Sequence, residues 1–404
     1  MEREIPRLRH DIDIVPAVCE GKRAFLVKDS LGLIPKPLVL TEDALRLIGL
    51  IDGKRDIRDI QLALVRHQGG VFVSLDEIRA KLAELDQAFL LDSLRYREEK
   101  RKKIQEYARL TIRKPALAGR AYPEDPDELA AYLDAILDQA SREPTPLAEK
   151  PPSALVSPHI DLEVGKGLYA KAYGTLRRPA PARVLLLGTG HSLQEALISV
   201  TTKDFWTPLG RVKTEKECVR NLKKAGSKVV ASDDIAHKSE HSLEFQLLFL
   251  QRIFGSGFRL IPVLCGSFHR MLETASRPGE IPGMQEFLEA LKACVPPGDP
   301  STLVVAGVDF SHIGPKFGHR QKAASLLMEA QKHDRSLLEA LCRGDGEAFW
   351  RGVKGTKDAF HVCGFSALAV LIELFPGRKG CLLGYDVWME EATQSAVSFA
   401  AVVF

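Results

Sequence analysis

The sequence lacks any long apolar run free of charged residues, and its first residues, Met1-Glu-Arg-Glu-Ile-Pro, lack the basic start and apolar core of a signal peptide. A helix that spans a bilayer needs about 20 mostly apolar residues, and a secretory leader needs both of the features that are absent here. From these absences we expect a cytoplasmic protein that does not use a membrane as its partner.

Cysteine is also scarce and follows no recognisable pattern. The seven cysteines are odd in number and include no C-x-x-C pair, which fits neither a disulfide framework nor a zinc knuckle. We therefore expect most of them to be buried thiols. They are Cys19, Cys218, Cys265, Cys294, Cys342, Cys363 and Cys381.

An excess of charge of either sign is absent as well. Lys and Arg number 56 against 53 Asp and Glu, and the resulting net charge of +3 argues against nucleic acid as the main partner. With 404 residues, of which 45 % are hydrophobic, the chain can bury a sizeable core and is long enough for more than one domain.

The stretch from Thr41 to Ser93 is predicted to form a small helical unit. Residues 44–51 are apolar at helical spacing, a second helix is predicted over residues 57–67, and Ser74 with Glu77 forms a capping box that opens a third. Residues 95–114 carry many charges of both signs, which is typical of a solvated helix or linker. We place the domain boundary there and expect domains over residues 1–109 and 110–404.

The first of these domains weakly resembles the PqqD-like winged-helix fold, whose members carry a Leu-rich helix, an acidic-Gly turn such as Asp52-Gly53 and a late Leu-x-x-Leu helix. The resemblance implies a module that binds peptides or accompanies radical-SAM enzymes. A winged-helix appendage with a purely structural role is an equal alternative, and DNA binding is less favoured.

Beyond residue 110 the pattern changes to strands that alternate with helices, which predicts an α/β domain with buried strands. Helices are predicted over residues 129–139 and 366–374. The four apolar runs predicted as strands are residues 154–157, 183–188, 260–264 and 301–307.

A histidine follows three of these strands. His159, His191 and His312 each come after a predicted strand, and in open α/β sheets ligands bind outside the carboxyl ends of the strands. One such histidine is more often a core or capping residue than a ligand, but three histidines that each follow a strand predict a shared site. Asp309 is close enough in sequence to orient an imidazole.

Cys363 is the fourth candidate for this site. It lies just before a predicted apolar helix, and a helix N-terminus favours the thiolate. The thiolate could ligate a soft or borderline metal, or act as a nucleophile with a nearby histidine as its base. The alternative is a small buried residue beside Gly364. His361 could line the pocket, although its alternation with Cys363 could also point it elsewhere.

A further polar cluster spans residues 234–246. Its His-x-x-x-His spacing would put His237 and His241 on one helical face, as in zinc peptidases. That function is excluded because Lys238, and not glutamate, follows the first histidine. Glu240 and His241 are predicted to line a polar pocket wall or to cap the helix that follows.

The motifs of the second domain occur in an order that resembles the Memo family, the AmmeMemoRadiSam system protein B-like proteins, which are related to the class III extradiol dioxygenases. The resemblance covers about three-quarters of the chain. It implies a central, mostly parallel sheet flanked by helices. The motifs are Ala118 to Pro123, Pro158-His159, Gly188 to Ser192, Thr207 to Gly210, Ala236 to Gln246, Asp309 to Gly314 and Cys363-Gly364.

This resemblance also implies residue roles. In class III extradiol dioxygenases two histidines and a glutamate hold Fe(II) and another histidine is the acid/base, while Memo-like proteins carry cysteine at the carboxylate position. Carried over motif by motif, the metal ligands would be His159, His191 and Cys363. His312 would be the acid/base, with Asp309 beside it. A thiolate in place of a carboxylate favours softer metals, so we expect iron or copper and do not assume catechol cleavage.

The chain departs from the commoner Memo pattern on the substrate side. Pro158-His159 is followed by Ile160-Asp161-Leu162 where Ala-Gly-Tyr is usual, and Gly190 stands where Ser is usual. Asp161 adds a carboxylate that either strengthens a metal site or caps the following turn.

Three functions are compatible with these patterns. The leading one is a Memo-like protein whose His/His/Cys pocket binds iron or copper; whether the metal also supports a redox reaction on a small-molecule substrate is left open by the sequence. The second is a non-catalytic module that holds a peptide or a radical-SAM protein partner in the old dioxygenase cleft. The third, a hydrolase that uses Cys363 and His312, ranks lowest because no oxyanion-hole motif is evident.

Overall fold

The computed structural model describes residues 5–19, 22–34, 37–67, 72–140, 152–176, 179–296 and 298–404. The chain forms two compact units, Met1–Arg109 and Leu110–Phe404.

In its described residues the first unit contains a three-stranded antiparallel sheet and four helices. The strands pair in the order β1-β2-β3. The helices predicted from the sequence are present, but the sheet was not predicted because residues 12–29 show no clean alternation of apolar and polar side chains. The elements are β1 Ile12–Cys19, β2 Lys22–Asp29, β3 Leu38–Leu40, α1 Glu42–Leu50, α2 Ile57–His67, α3 Leu75–Gln87 and α4 Leu94–Ala108.

Local sequence explains how these helices begin and what they bury. Thr41 caps α1, and Ser74 caps α3 through the predicted capping box with Glu77. Ile60 of α2 and Ile78 of α3 are almost fully buried in the core of the unit. The resemblance to PqqD-like winged-helix modules stays a prediction.

The second unit is a mixed α/β domain. Its elements are β4 Ile112–Arg113, α5 Pro126–Leu137, β5 Ala154–Ser157, α6 Leu162–Tyr173, β6 Arg183–Thr189, β7 Ile198–Val200, β8 Asp204–Thr207, β9 Gly210–Thr214, α7 Lys216–Ala225, α8 Glu244–Phe254, β10 Arg259–Cys265, α9 Met284–Cys294, β11 Thr302–Gly307, β12 His312–Ile313, α10 Ala323–Arg343, α11 Gly346–Thr356, α12 Phe365–Leu374, β13 Cys381–Glu390 and β14 Ser395–Val403.

These strands form one sheet in the order β12-β14-β5-β11-β6-β10-β9-β8-β4, with β13 on β14 and β7 on β10. The centre of the sheet, β5-β11-β6-β10, is parallel. The four strands predicted from apolar runs are therefore the four neighbours at the centre of the sheet. The predicted α/β class with a mostly parallel sheet and flanking helices is confirmed.

Alternate residues of the central strands pack against two layers of helices. On one face Leu185 and Val304 join a core with α7, α9, α11 and α12. On the other face Leu186 and Val305 join a core with α5, α6 and α8. Strands buried on both faces read as continuous apolar runs, which is why their sequence signal was strong.

Two of the cysteines differ from the expectation. Cys218 of α7 and Cys294 of α9 form a disulfide, with Cα atoms 5.7 Å apart, whereas Cys19, Cys265, Cys342, Cys363 and Cys381 are free. The pairing was missed because 76 residues separate the two positions and the packing of α7 on α9 is a tertiary contact. No helix among the described residues has the length and apolar character needed to cross a membrane.

Gly307, at the end of β11, lies so close to the segment before α8 that a Cβ atom there would overlap with the Ser242 carbonyl and the Gln246 amide. We predict that Gly307→Ala lowers the free energy of unfolding by about 1–3 kcal/mol, since these atoms belong to a packed layer. Gly167→Ala is the matched control, because Gly167 is an α6 residue with open space around its Cα. Urea unfolding of both variants measures the difference, and equal stabilities would contradict the close approach.

Candidate metal centre

The carboxyl ends of three neighbouring strands bring the predicted residues together. His159 follows β5, His191 follows β6, and Asp309 follows β11, which lies between those two strands. Cys363 lies at the same edge of the sheet, one residue before Gly364, which is the N-cap of α12. Parallel strands therefore gather residues that lie more than 200 positions apart in the chain, as in the Cys363–His159 contact.

Three donor atoms converge at this edge. The Cys363 Sγ lies 3.3 Å from the Nε2 of His159 and 3.5 Å from the Nε2 of His191. Each of the three residues offers a ligand atom within 4.8 Å of the other two. A tetrahedral metal with ordinary bond lengths holds sulfur and nitrogen about 3.6 Å apart. The spacing and the chemistry of this donor set therefore fit a transition metal.

The two imidazoles are fixed in the tautomer that ligation needs. The Nδ1 of His159 donates to the Gly307 carbonyl at 3.0 Å, and the Nδ1 of His191 donates to the Glu240 carboxylate at 3.0 Å. Because a carbonyl and a carboxylate only accept, the proton sits on Nδ1 and Nε2 is left for the metal.

The Glu240 carboxylate also accepts hydrogen bonds from the backbone. The N–H of His191 donates to it at 3.0 Å and the N–H of Ser242 at 2.9 Å. Although burial opposes ionisation, the neighbouring His191 holds the pKa of Glu240 well below its usual range. Burial likewise opposes protonation of His191, but Glu240 and Cys363 raise the pKa of that imidazole well above its usual value. Without a metal the site thus contains a carboxylate–imidazolium pair.

A buried ion pair anchors the segment that carries Glu240. Arg113 pairs with Glu244 and also donates to the carbonyls of His237, at 3.0 Å, and Glu240, at 2.7 Å. Glu244 in turn accepts from the Tyr122 hydroxyl at 2.6 Å. This network holds residues 237–244 rigidly beside the sheet.

Asp309 supports the His159 loop from β11. Its Oδ1 accepts the backbone N–H groups of His159, at 3.0 Å, and Ile160, at 3.3 Å. Its Oδ2 lies 3.5 Å from the His159 Nε2. Burial raises the pKa of Asp309 to about 7, while burial and the neighbouring imidazoles of His191 and His241 hold the pKa of His159 well below its usual value. His159 is therefore a neutral imidazole.

His312, the predicted acid/base, lies beside the donor set and not in it. Its Nδ1 donates to the Phe310 carbonyl at 3.0 Å, and its ring packs edge-on against Phe317 with 4.8 Å between ring centres. Burial lowers the pKa of His312. Its neutral Nε2 has no hydrogen-bond partner in the described part of the chain, so it is free to accept a proton.

The other predicted pocket residues divide into two groups. Glu240 and His241 lie in the site, where the His241 ring is 4.9 Å from that of His191 and 5.1 Å from that of His159. Asp161 instead caps α6 by accepting the Glu163 N–H at 3.0 Å, which is the second of its two predicted roles.

His361 is an exposed residue on a turn that precedes Cys363. It has a positive φ of 49° and packs against the ring of His319. No described contact joins it to the donor set. Of the two positions considered for His361, these contacts favour the one away from the donor set.

A second group of residues, His191, Glu240 and His241, also brings possible ligand atoms within 4.8 Å of one another. The rings of His191 and His241 are stacked, with only 15° between their planes. Imidazole lone pairs lie in the ring plane, so near-parallel rings do not converge on one ion. The rings of His159 and His191 are inclined at 68°, which favours the cysteine-containing group as the metal site.

The proposed helical face shared by His237 and His241 does not exist. His237 ends a short turn at Ile235–His237, whereas α8 begins only at Glu244. Sequence reasoning also missed Thr189, whose Oγ1 lies 3.5 Å from the Cys363 Sγ and donates to the Cys363 carbonyl at 3.3 Å. Its place between Gly188 and Gly190 was the available signal.

Comparison with known proteins extends these findings. A family model described as "Memo-like protein" matches residues 113–403. The chain is 30 % identical to a MEMO1 family protein of Aquifex aeolicus over 94 % of this chain and 96 % of that one. It is 29 % identical to a MEMO1 family protein of Thermus thermophilus, over 86 % and 99 % of the two chains. A MEMO1 family protein of Methanopyrus kandleri is 32 % identical over 72 % of this chain and 98 % of its own.

We predict a pH-dependent stability difference between the metal-free wild type and Asp309→Asn. Because burial raises the pKa of Asp309 to about 7, the unfolded chain ionises this group at lower pH than the folded chain does. The protonated Asp309 side chain stabilises the folded chain fully at a pH below the pKa that Asp309 has in the unfolded chain. This contribution is lost as the pH rises to the folded-state pKa of about 7. Relative to the variant, the wild type should lose roughly 2–4 kcal/mol between acidic and neutral pH. Urea unfolding across this range measures the loss, and a constant difference would contradict the raised pKa.

Proposed function

The chain belongs to the Memo-like family, and from that premise we propose that its second unit binds iron or copper through His159, His191 and Cys363 and uses the metal in a redox reaction. The observation that carries this proposal is the convergence of one Sγ and two Nε2 atoms at 3.3 and 3.5 Å, with each Nδ1 held by an acceptor. When bound, the metal would supply one-electron chemistry and an open coordination position.

Each protein group has a task in this proposal. The Glu240 carboxylate orients His191 and balances part of the metal's charge, while the Gly307 carbonyl orients His159. The Nε2 of His312 accepts a proton from a bound substrate, because its Nδ1 is already donating to a carbonyl. The side chain of His191 is 41 % exposed and that of His159 only 3 %, so a small-molecule substrate would approach from the His191 side.

A thiolate nucleophile is the less favoured function. Cys363, His191 and Glu240 do line up as nucleophile, base and orienting group. However, the N–H of Cys363 donates to the Phe310 carbonyl and the N–H of Gly364 to the Asp309 carbonyl. These amides are therefore not available to stabilise an oxyanion, and this argues against acyl transfer.

A partner-binding role remains the second proposal. In the described residues β1, an eight-residue strand, pairs only with β2. A peptide that adds as a strand along the other edge of β1 is the mode of binding we propose. A radical-SAM protein that presents such a peptide is the partner we propose. A wild-type protein that stays free of metal in the experiment below would favour this second role.

The first experiment measures metal content and affinity in protein prepared without oxygen. We predict near-stoichiometric iron or copper in the wild type and a loss of affinity of at least about 100-fold in Cys363→Ala and in His191→Ala, since each variant removes one of three donors. His361→Ala is the matched control and should retain the metal. Zinc in the wild type would contradict redox chemistry, and a wild type that stays metal-free after reconstitution would favour the partner-binding role.

Glu240→Gln tests the orienting carboxylate separately. The amide keeps the shape of the side chain but loses the charge that holds the Nδ1 proton of His191. We predict that metal affinity falls about 10- to 100-fold, the usual effect of losing such a partner. Glu163→Gln, an exposed α6 residue, is the control. Equal metal affinity in the two variants, measured by competition with a chelator, would show that Glu240 does not orient the ligand.

A further inference from the structure

Asp334 is a buried carboxylate on α10 that lies outside the metal site. Its oxygens accept hydrogen bonds from three hydroxyl groups. Ser311 donates to Oδ1 at 2.6 Å, while Ser398 at 2.6 Å and Tyr385 at 2.8 Å donate to Oδ2. Burial raises the pKa of Asp334, and these hydrogen bonds oppose that rise. Well-packed apolar residues would join α10 to β13 and β14 at lower cost, so the carboxylate points to a further task.

One of the three hydroxyls connects Asp334 to the backbone beside His312. The Ser398 Oγ donates to Asp334 and accepts the N–H of Ser311 at 2.8 Å. The Ser311 carbonyl is a second and more distant acceptor for the same hydroxyl, at 3.4 Å. Because Asp334 takes the hydroxyl hydrogen, an oxygen lone pair of Ser398 is left to face the Ser311 N–H.

The peptide group that Ser398 holds also binds the His312 ring. Its N–H belongs to Ser311 and its carbonyl to Phe310, and this carbonyl accepts a hydrogen bond from the Nδ1 of His312 at 3.0 Å. A series of three hydrogen bonds thus runs from the Asp334 carboxylate through the Ser398 hydroxyl and this peptide group to the His312 ring. Hydrogen bonds in series polarise one another, and a carboxylate acceptor at one end strengthens them.

We propose that Asp334 is a positioning residue that keeps the ring proton of His312 on Nδ1 and so leaves Nε2 as the proton acceptor. The task of His312 is that of the proposed function, on which this inference rests. Asp334 acts through Ser398 and a peptide group, and not by contact with the reacting atoms. Without the carboxylate the peptide group is held less firmly, and the Nε2–H form of His312, which cannot accept a proton, becomes populated.

The test reads the tautomer of His312 from the NMR shifts of its ring nitrogens in metal-free, full-length protein. Neutral pH is used because burial lowers the pKa of His312 to about 4, so the ring is uncharged. Ser398→Ala breaks the series, and Asp334→Asn removes the charge at its end. Ser311→Ala is the matched control, because it removes a hydroxyl at the same 2.6 Å from Asp334 but leaves the series through Ser398 intact.

We expect His312 to be in the Nδ1–H form in the wild type. The ratio of the Nδ1–H form to the Nε2–H form should fall roughly fivefold in Ser398→Ala and in Asp334→Asn, as for the loss of one hydrogen bond. The ratio should be unchanged in Ser311→Ala. Thermal unfolding should show a similar loss of stability in the two serine variants, so that a difference in their tautomers does not follow from stability alone.

An unchanged ratio in folded Ser398→Ala would overturn the inference, and so would an equal change in Ser311→Ala. The ring of His159, whose Nδ1 donates to the Gly307 carbonyl, should keep its tautomer in every variant and serves as the internal reference. Failure of the proposed function is a separate result. It would be seen as a wild type that takes up neither iron nor copper, whereas the tautomer is measured without metal.

Discussion

The arrangement of the site depends on one buried carboxylate, that of Glu240. It accepts two hydrogen bonds from His191, one from the backbone and one from the ring, and a third from the Ser242 backbone. A buried charge is costly unless it is fully paired. The pairing here makes His191 the group that compensates this charge. One interaction therefore both orients the His191 imidazole and stabilises the buried carboxylate.

Glu240 is itself held by a second buried charge pair. Arg113 spans the carbonyls of His237 and Glu240 and is neutralised by Glu244, the first residue of α8. The short strand β4 carries Arg113, which holds the segment that contains Glu240. Glu240 in turn holds the His191 ring. Rigidity at the donor set is a property of this connected series of polar contacts, and not of the apolar core alone.

Much of this architecture could be predicted from the sequence. The central strands were predictable because strands buried on both faces are continuous apolar runs, as in residues 183–188. The convergence of His159, His191 and Cys363 could be anticipated from their places at strand and helix ends. Their roles as metal ligands came from the family resemblance and stay a prediction. The first unit's sheet, the Cys218–Cys294 pairing and the turn at Ile235–His237 were not predictable. The cysteine pairing depends on a tertiary contact between α7 and α9, whereas residues 12–29 show no clean alternation of apolar and polar side chains and a three-residue turn is too short to leave a period in the sequence.

One relative is matched over nearly its whole length by only part of this chain. The Methanopyrus kandleri relative is matched over nearly its whole length by an alignment of 307 residues. That length is close to the second unit, so this relative has no room for a counterpart of residues 1–109. The donor set and its supporting carboxylates all lie in the second unit. The family model likewise matches residues 113–403, the part of this chain that contains the donor set.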